Sequence, residues 1–438
     1  MKVAVIGLWH QGVVGAACLA SLGHDVLAVD HNPARIAELT NGKAPVYEPG
    51  LDDLIQLGLK SGRLQFATDV ARAVIGRPYT LIMFDTPVNE NDESDLSEIF
   101  TTAKEIAPTL DHDATVLVTA QIPVGTCDVI SQTIRAANPK ACFGLAYSPE
   151  NLRLGQAIER FQNPALPVIG ADNATTLDRV EKLLATPAIK WQRVSLRTAE
   201  MTKHALNGFL AISVCFANEL GNLCDEVGAD GHRLAEVLRL EPRIGTKAML
   251  FPGLGFSGGT LARDVQTLRQ LGDSHGIDTP LLDGAWQSNQ NQNRTVVRRL
   301  RRLLGGSLQG RRIAILGLTY KPDTSTLRRS AALEVIADLM REGAVVAASD
   351  PRANREELKN YSAFEFFDNP YAAVQNADAV VLMTPWKDYR DLDFDRLKAT
   401  MARPLLFDTA NLWQAGPLLG KGFTYLDIGR GRKAGVPA

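Results

Sequence analysis

Apolar positions in the first 195 residues fall into short β-rich runs separated by amphipathic stretches. Lys2–Ile6, His24–Val29, Thr80–Phe84 and Ala114–Thr119 read as strands bounded by Gly, Asp and Pro. Between them Val13–Leu22, Pro33–Leu39 and Asp95–Ile106 carry apolar residues at helical spacing. Such alternation predicts a parallel sheet with helices on both faces. From about residue 196 to 300 strand signals vanish, and Thr198–Val227 reads as one long helix ended by Gly228. Beyond 301 the βα alternation returns, with strands at Arg312–Leu316, Ala344–Ser349, Ala379–Met383 and Leu405–Phe407 and a helix at Ser330–Glu342. The expected fold class is α/β: two doubly wound parallel-sheet domains, 1–195 and 301–438, joined by a central helical domain, 196–300.

Composition narrows the class without changing that picture. At 45% hydrophobic and 22% charged residues the chain is an ordinary globular one. A formal net charge of −2 gives no global field toward nucleic acid or anionic membrane, so neither is an expected partner. No stretch reaches the length of a membrane span. Met1 leads straight into a strand rather than into a secretory leader, and five scattered cysteines make no disulfide framework or metal pattern. The expectation is a cytoplasmic protein with reduced thiols and no metal. Arg298, Arg299, Arg301 and Arg302 give Asn293–Leu304 a basic face, for which packing or solvation is the expected use.

The first strand, turn and helix carry candidate chemistry. Gly7 follows the strand, Gly12 lies in the opening of the helix, and Asp30 ends the second strand, about 20 residues on, as in a Rossmann βαβ unit. The helix N-terminus then faces a pyrophosphate and Asp30 faces the ribose hydroxyls, which favours NAD over NADP. Trp9 stands where the middle glycine of that fingerprint belongs. Its indole could point away from the cofactor, stack near it or obstruct it.

Further stretches, taken in order, resemble the UDP-glucose and GDP-mannose dehydrogenase family. They are Tyr47-Glu48-Pro49-Gly50-Leu51, Asp85-Thr86-Pro87, Ser148-Pro149-Glu150, Ala199-Glu200-Met201-Thr202-Lys203 with Asn207, Asn218-Glu219-Leu220, Arg243-Ile244-Gly245, Gly255-Phe256-Ser257-Gly258-Gly259 with Asp264, and Leu316-Gly317-Leu318-Thr319-Tyr320-Lys321-Pro322. The resemblance covers almost the whole chain. It implies an amino-terminal NAD domain, a central helical domain that forms a homodimer, and a Rossmann-like carboxy-terminal domain for the nucleotide diphosphate of a sugar substrate.

The family oxidises a primary alcohol on a nucleotide-linked sugar twice, through an aldehyde and a cysteine thioester, to a carboxylate. On that resemblance Lys203 and Asn207 are the oxyanion-stabilising pair, Glu150 the acid–base residue, and Asp264 the carboxylate assisting proton movement and hydrolysis. Thr86 joins Gly7, Trp9, Gly12 and Asp30 at the cofactor, with Arg328 near it. Leu152 lines the sugar site. Arg243 reaches sugar nucleotide across the dimer, and Gly255, Phe256, Gly258 and Lys321 contact the nucleotide.

The pattern breaks at one decisive place. Gly258-Gly259-Thr260-Leu261-Ala262-Arg263-Asp264 puts Thr260 at the position of the nucleophilic cysteine. A threonine hydroxyl cannot form a thioester and needs a dedicated base. Asn151, Leu154, Gln121 and Ala410 also depart from the family, as does Ser325-Thr326-Leu327-Arg328-Arg329, so the sugar pocket is revised. The leading expectation is an NAD-dependent oxidation that stops at the aldehyde. The alternatives are full four-electron oxidation to a uronic acid and a non-catalytic nucleotide-sugar-binding protein.

Overall fold

A computed structural model of the chain describes residues 1–89, 93–150, 152–184, 189–361 and 363–431. They divide into two compact units, one ending at Leu206 and the other beginning at Asn207.

The amino-terminal unit is built on eight strands: β1 Lys2–Ile6, β2 Asp25–Val29, β3 Leu64–Ala67, β4 Tyr79–Ile82, β5 Ala114–Val118, β6 Phe143–Tyr147, β7 Val168–Ala171 and β8 Gln192–Ser195. Their order in the sheet is β3-β2-β1-β4-β5-β6-β7-β8. The order reverses beside β1, which opens a crevice at the carboxyl ends of β1 and β4, the usual ligand position in such sheets. Pairing is parallel except between β6 and β7, where Tyr147 opposes Gly170 in antiparallel sense. That pair makes the sheet mixed, a feature the strand pattern alone does not foresee.

Side chains alternate across the sheet. Val3 and Val5 enter one apolar core with the helix His10–Ser21, while Ala4 and Ile6 enter another with Ile82, Val116 and Val118. Burial on both faces explains why these strands read as continuous apolar runs. Helices begin where the sequence supplies caps. Asn32 accepts from the N–H groups of Ala34 and Arg35, and Pro33 occupies the first position of Pro33–Thr40.

The second unit repeats the plan with β9 Arg312–Leu316, β10 Val345–Ser349, β11 Glu365–Phe367, β12 Ala379–Leu382, β13 Leu405–Asp408 and β14 Thr424–Asp427. Its order, β11-β10-β9-β12-β13-β14, matches the first six positions of the other sheet, and every pair is parallel. Gly317 turns after β9 with φ +93°, as Gly7 does after β1 with φ +92°. The helices Thr260–His275, Pro280–Leu303 and Ala331–Arg341 belong to this unit. The 32-residue helix Leu196–Val227 starts in the first unit and ends in the second.

The basic stretch at the end of Pro280–Leu303 is used for packing. Arg299 pairs with Asp225 at 2.6 Å and Arg301 with Glu342 at 3.1 Å. No described helix is long and apolar enough to cross a membrane.

Candidate active site

In the amino-terminal unit the turn after β1 forms the floor of a cleft of ≈520 Å³ lined by Gly7, Trp9, Asp30, Arg35, Asp85 and Thr86, among others. Its size suits a small-molecule ligand. Gly7 is held by its N–H to the Val29 carbonyl at 3.0 Å in a left-handed conformation that favours glycine. A Cβ on Gly12 would lie 1.7 Å from the Gly7 carbonyl oxygen, so only glycine lets the helix sit this close to the strand.

The Asp30 carboxylate accepts from the Leu8 N–H at 2.8 Å, the Asn32 N–H at 2.9 Å and the Arg35 guanidinium at 2.7 Å. Trp9 has φ −84°, so its backbone does not require glycine for conformation. Its indole is 45% exposed and lies against the Arg35 guanidinium, 5.0 Å from the ring centroid. Of the three orientations open from the sequence, the indole takes a place in the wall of the cleft. The Thr86 hydroxyl donates to the Gln121 carbonyl at 2.8 Å. Glycine turn, helix N-terminus and terminal aspartate thus fit a dinucleotide, and Trp9 and Asp85 line the same cleft.

Deeper in the same unit, Glu150 and Lys203 meet. The Lys203 ammonium donates to the Glu150 backbone carbonyl at 2.8 Å, and the Glu150 carboxylate accepts from the Leu152 N–H. Burial pushes the Glu150 carboxyl above the usual carboxylate range. The Lys203 charge and the Leu152 N–H pull it back, and the charge of Asp85 adds to the rise. Glu48, buried, accepts from Gly155 and Ala157 at 2.9 and 2.8 Å and from His10 at 3.1 Å. It therefore holds the segment that follows Glu150. Asn151 lies outside the described residues, and Leu154 is exposed.

In the second unit Asn207 donates its side-chain amide to the Asp264 carboxylate, and both residues are buried. Thr260 is the exposed first residue of Thr260–His275, and Gly259 before it brings no side-chain cap. The glycine loop ahead of it is clamped by amides from two helices. Asn218 accepts from the Gly253 N–H at 2.8 Å, Asn293 from Gly255 at 3.2 Å and Asn289 from Phe256 at 2.6 Å. A Cβ on Gly255 would meet the Asn289 oxygens at 2.8 Å. These three loop N–H groups are bonded to side chains of the protein, and close packing is shown for Gly255.

Gly255 and Lys321, with His232, Ser257, Tyr320 and Thr384, line a cavity of ≈360 Å³. Lys321 lies 5.4 Å from the Tyr320 ring centroid, and Gly258 leaves room for that ring. Arg243 and Arg328 are exposed and do not line this cavity. The second sheet's counterpart of Asp30 is Asp350, which accepts from Leu318, Thr319, Trp386 and Arg352 at 2.7–3.1 Å and is buried. Its acceptor positions are filled internally.

All five cysteines have thiols raised above the ordinary value, Cys142 through its hydrogen bond to Asp113. Burial raises the Cys18 thiol to about 12 and Cys215 to about 11, and Cys127, Cys142 and Cys224 are raised as well.

Sequence reading quoted Asp85 only within Asp85-Thr86-Pro87 and gave it no role, and it did not single out His10, Arg35, His232 or the amide clamp. The clamp had a signal. The run Gln287-Ser288-Asn289-Gln290-Asn291-Gln292-Asn293 puts many amides inside a helix, where asparagine is a weak helix former.

Comparison with known proteins agrees across the chain. Residues 1–187 match the NAD binding domain of the UDP-glucose/GDP-mannose dehydrogenase family, 197–291 its central domain and 314–415 its UDP binding domain. The UDP-glucose 6-dehydrogenase of Rhizobium meliloti is 37% identical over 439 residues, which cover 98% of this chain and 100% of that protein. That of Pseudomonas aeruginosa is 33% identical, over 99% of this chain and 98% of its own. A UDP-glucose dehydrogenase structure from Pyrobaculum islandicum is 30% identical with a TM-score of 0.81, covering 93% of this chain and 94% of that one. Together with the dinucleotide cleft, these matches place the chain in the UDP-glucose/GDP-mannose dehydrogenase family of NAD-dependent nucleotide-sugar dehydrogenases.

Proposed function

We propose that this dehydrogenase oxidises the primary alcohol of a nucleotide-linked sugar once and releases the aldehyde. The observation that carries this reading is Thr260 at the head of Thr260–His275, together with five thiols that are all raised in pKa. Without a thiolate no thioester forms, and the covalent route to the acid is closed.

Gly7, Trp9, Gly12, Asp30 and Thr86 would hold NAD, which supplies the hydride acceptor. Lys203 and Asn207 lie one turn apart on one helix and would stabilise the alkoxide as the alcohol loses its proton. Glu150, whose pKa burial raises above the ordinary carboxylate value, suits the acceptor of that proton. The buried Asp264 orients the Asn207 amide. Lys321 and Gly255 would take the nucleotide in their cavity, and Leu152 and Arg328 would border sugar and cofactor. UDP is the first nucleotide to try, since the relatives named above act on UDP-glucose. Incubation with NAD and a panel of UDP-, GDP- and TDP-sugars is expected to produce NADH with at least one of them. NAD binding without NADH from any sugar would overturn the assignment.

Partner and place follow the same reading. Phe209, Phe216 and Leu223, 69%, 51% and 61% exposed, recur every seven residues along the long helix. A stripe of this kind suits a second copy of the chain, and Arg243 is exposed, with its guanidinium paired to Glu241 at 2.8 Å. Phe216→Glu is expected to convert a homodimer to monomer in light scattering coupled to size exclusion, while an unchanged mass would remove this helix face from the interface. Five free thiols suit the cytoplasm. We assign the functional domains as 1–195, 196–300 and 301–438.

A further inference from the structure

The first turns of the long helix carry more than Lys203. Glu200, Lys203 and His204 are spaced i, i+3 and i+4 and share one helix face. Glu200 is fully buried, and His204 is 3% exposed. A carboxylate out of water needs donors, and Glu200 finds two at the end of another helix. It accepts from the Gly125 and Cys127 N–H groups, both at 2.7 Å. Those groups open the helix Thr126–Ala137, whose N-cap is Gly125 with φ +92°, a residue with no side chain to cap it. Unpaired N–H groups and the dipole at a helix N-terminus favour an anion. Glu200 therefore caps one helix from another.

The His204 Nε2–H donates to the Ile122 carbonyl, on the same segment, at 2.9 Å. The loop between β5 and Thr126–Ala137 is fixed at its other end as well. The Tyr147 hydroxyl donates to the Ala120 carbonyl at 2.9 Å, and the Gln121 carbonyl accepts from Thr86, in the wall of the cofactor cleft, at 2.8 Å. Hydrogen bonds thus run from Thr86 through this loop to the turn that bears Lys203, whose ammonium meets the Glu150 carbonyl at 2.8 Å. All of them lie within the amino-terminal unit. Arg197, one turn earlier, pairs with Asp128 at 2.7 Å, but its side chain is 72% exposed and such a pair weighs little. Alanine makes a better helix than glutamate or histidine, so the polar atoms of Glu200 and His204 serve the loop and not their own helix.

We infer that Glu200 and His204 are positioning residues for the oxidation: they lock the turn carrying Lys203 to the loop that braces the cofactor cleft, and so fix the ammonium against the reacting alcohol. This rests on reading Lys203 as the donor to the alkoxide. An amide in place of the Glu200 carboxylate keeps one acceptor oxygen and turns N–H groups toward N–H groups, so the lock loosens.

The test is steady-state kinetics across pH at saturating NAD, with a sugar nucleotide that yields NADH, for the native protein, Glu200→Gln, Lys203→Ala and the double variant. E200Q is expected to lose about 10–10²-fold in kcat, the scale of a small misplacement of a catalytic group. The acidic limb of its profile should move upward, as in K203A, because the Lys203 charge that holds the Glu150 carboxyl down is no longer held in place. The double variant should match K203A, since Glu200 acts through a side chain that is then gone. Losses that multiply, or a limb that stays put, would mean that Glu200 only holds the fold together, and the inference would fall. Native kcat in E200Q beside an impaired K203A would overturn the inference alone. Native kcat in K203A, or no NADH from any sugar with the native protein, would overturn the reading of Lys203 and the inference with it. Should E200Q not fold, His204→Gln keeps a donor for Ile122 and His204→Ala does not. H204Q should recover rate and limb that H204A loses, and equal losses in the two would contradict the inference.

Discussion

Lys203→Ala is expected to lower kcat by about 10²–10³-fold, the usual cost of removing one oxyanion donor, or about 2.7–4 kcal/mol of transition-state stabilisation. The side chain is half-buried and its ammonium sits 2.8 Å from the Glu150 carbonyl, so it is already positioned before substrate arrives. The loss should fall on kcat, with the KM for NAD little changed, because the alkoxide charge exists only as the alcohol is oxidised. The pH profile should also move. Lys203's charge holds the Glu150 pKa down against burial, so without it the carboxyl rises further. A proton acceptor with a higher pKa becomes competent at higher pH, so the acidic limb of kcat should shift upward. Lys203→Arg keeps the charge and should restore the limb in part. Steady-state kinetics across pH decides this, and an unchanged kcat in K203A would remove Lys203 from the chemistry.

Thr260→Cys is expected to change the product. Position 260 opens a 16-residue helix behind an uncapped glycine, an environment that lowers a thiol pKa through unpaired N–H groups and the helix dipole. A cysteine there would be exposed and partly thiolate at neutral pH, whereas Cys215 needs a pH near 11. It can add to the aldehyde, and a second hydride loss then leaves a thioester for water to cleave. T260C should yield a uronic acid and two NADH per sugar, and should react with iodoacetamide faster than any native cysteine. Fast alkylation without acid would mean that the revised sugar pocket, and not the missing thiol alone, ends the reaction at the aldehyde.

Much of this was readable in the sequence, for physical reasons that differ between elements. Strands buried on both faces, such as β1, β5, β9 and β12, announce themselves as continuous apolar runs, and reading placed them within a residue or so at the start. Edge strands do not. β8 reads Gln-Arg-Val-Ser and is half to fully exposed, and β11 has three residues, so neither carries a burial pattern. The antiparallel β7 is four residues long with an internal glycine. The long helix was legible as a helix, but the boundary between compact units inside it was not, because helix propensity says nothing of which unit each turn packs on.

The candidate site divides in the same way. Gly7, Gly12 and Asp30 follow from the spacing of one βαβ unit, whereas Lys203 and Asn207 were picked out by the family resemblance, since one-turn spacing alone is that of any helix face. Asp85 could not be placed in the cleft with Gly7 and Trp9 from spacing, since it comes there through the pairing of β1 with β4. Glu48 and Gly155, 107 positions apart, join through a hydrogen bond that spacing does not announce. Spacing also says nothing of what packs on a loop glycine: Gly255 lies against Asn289 and Gly258 against the Tyr320 ring, while Gly259 has open space beside it.

The central claim is that Thr260 ends the reaction after one oxidation. Its most direct test is the ratio of NADH formed to nucleotide sugar consumed by the native protein, with the product identified by mass. One NADH per sugar with an aldehyde, or its hydrate, is the predicted result. Two NADH per sugar with a uronic acid would contradict it.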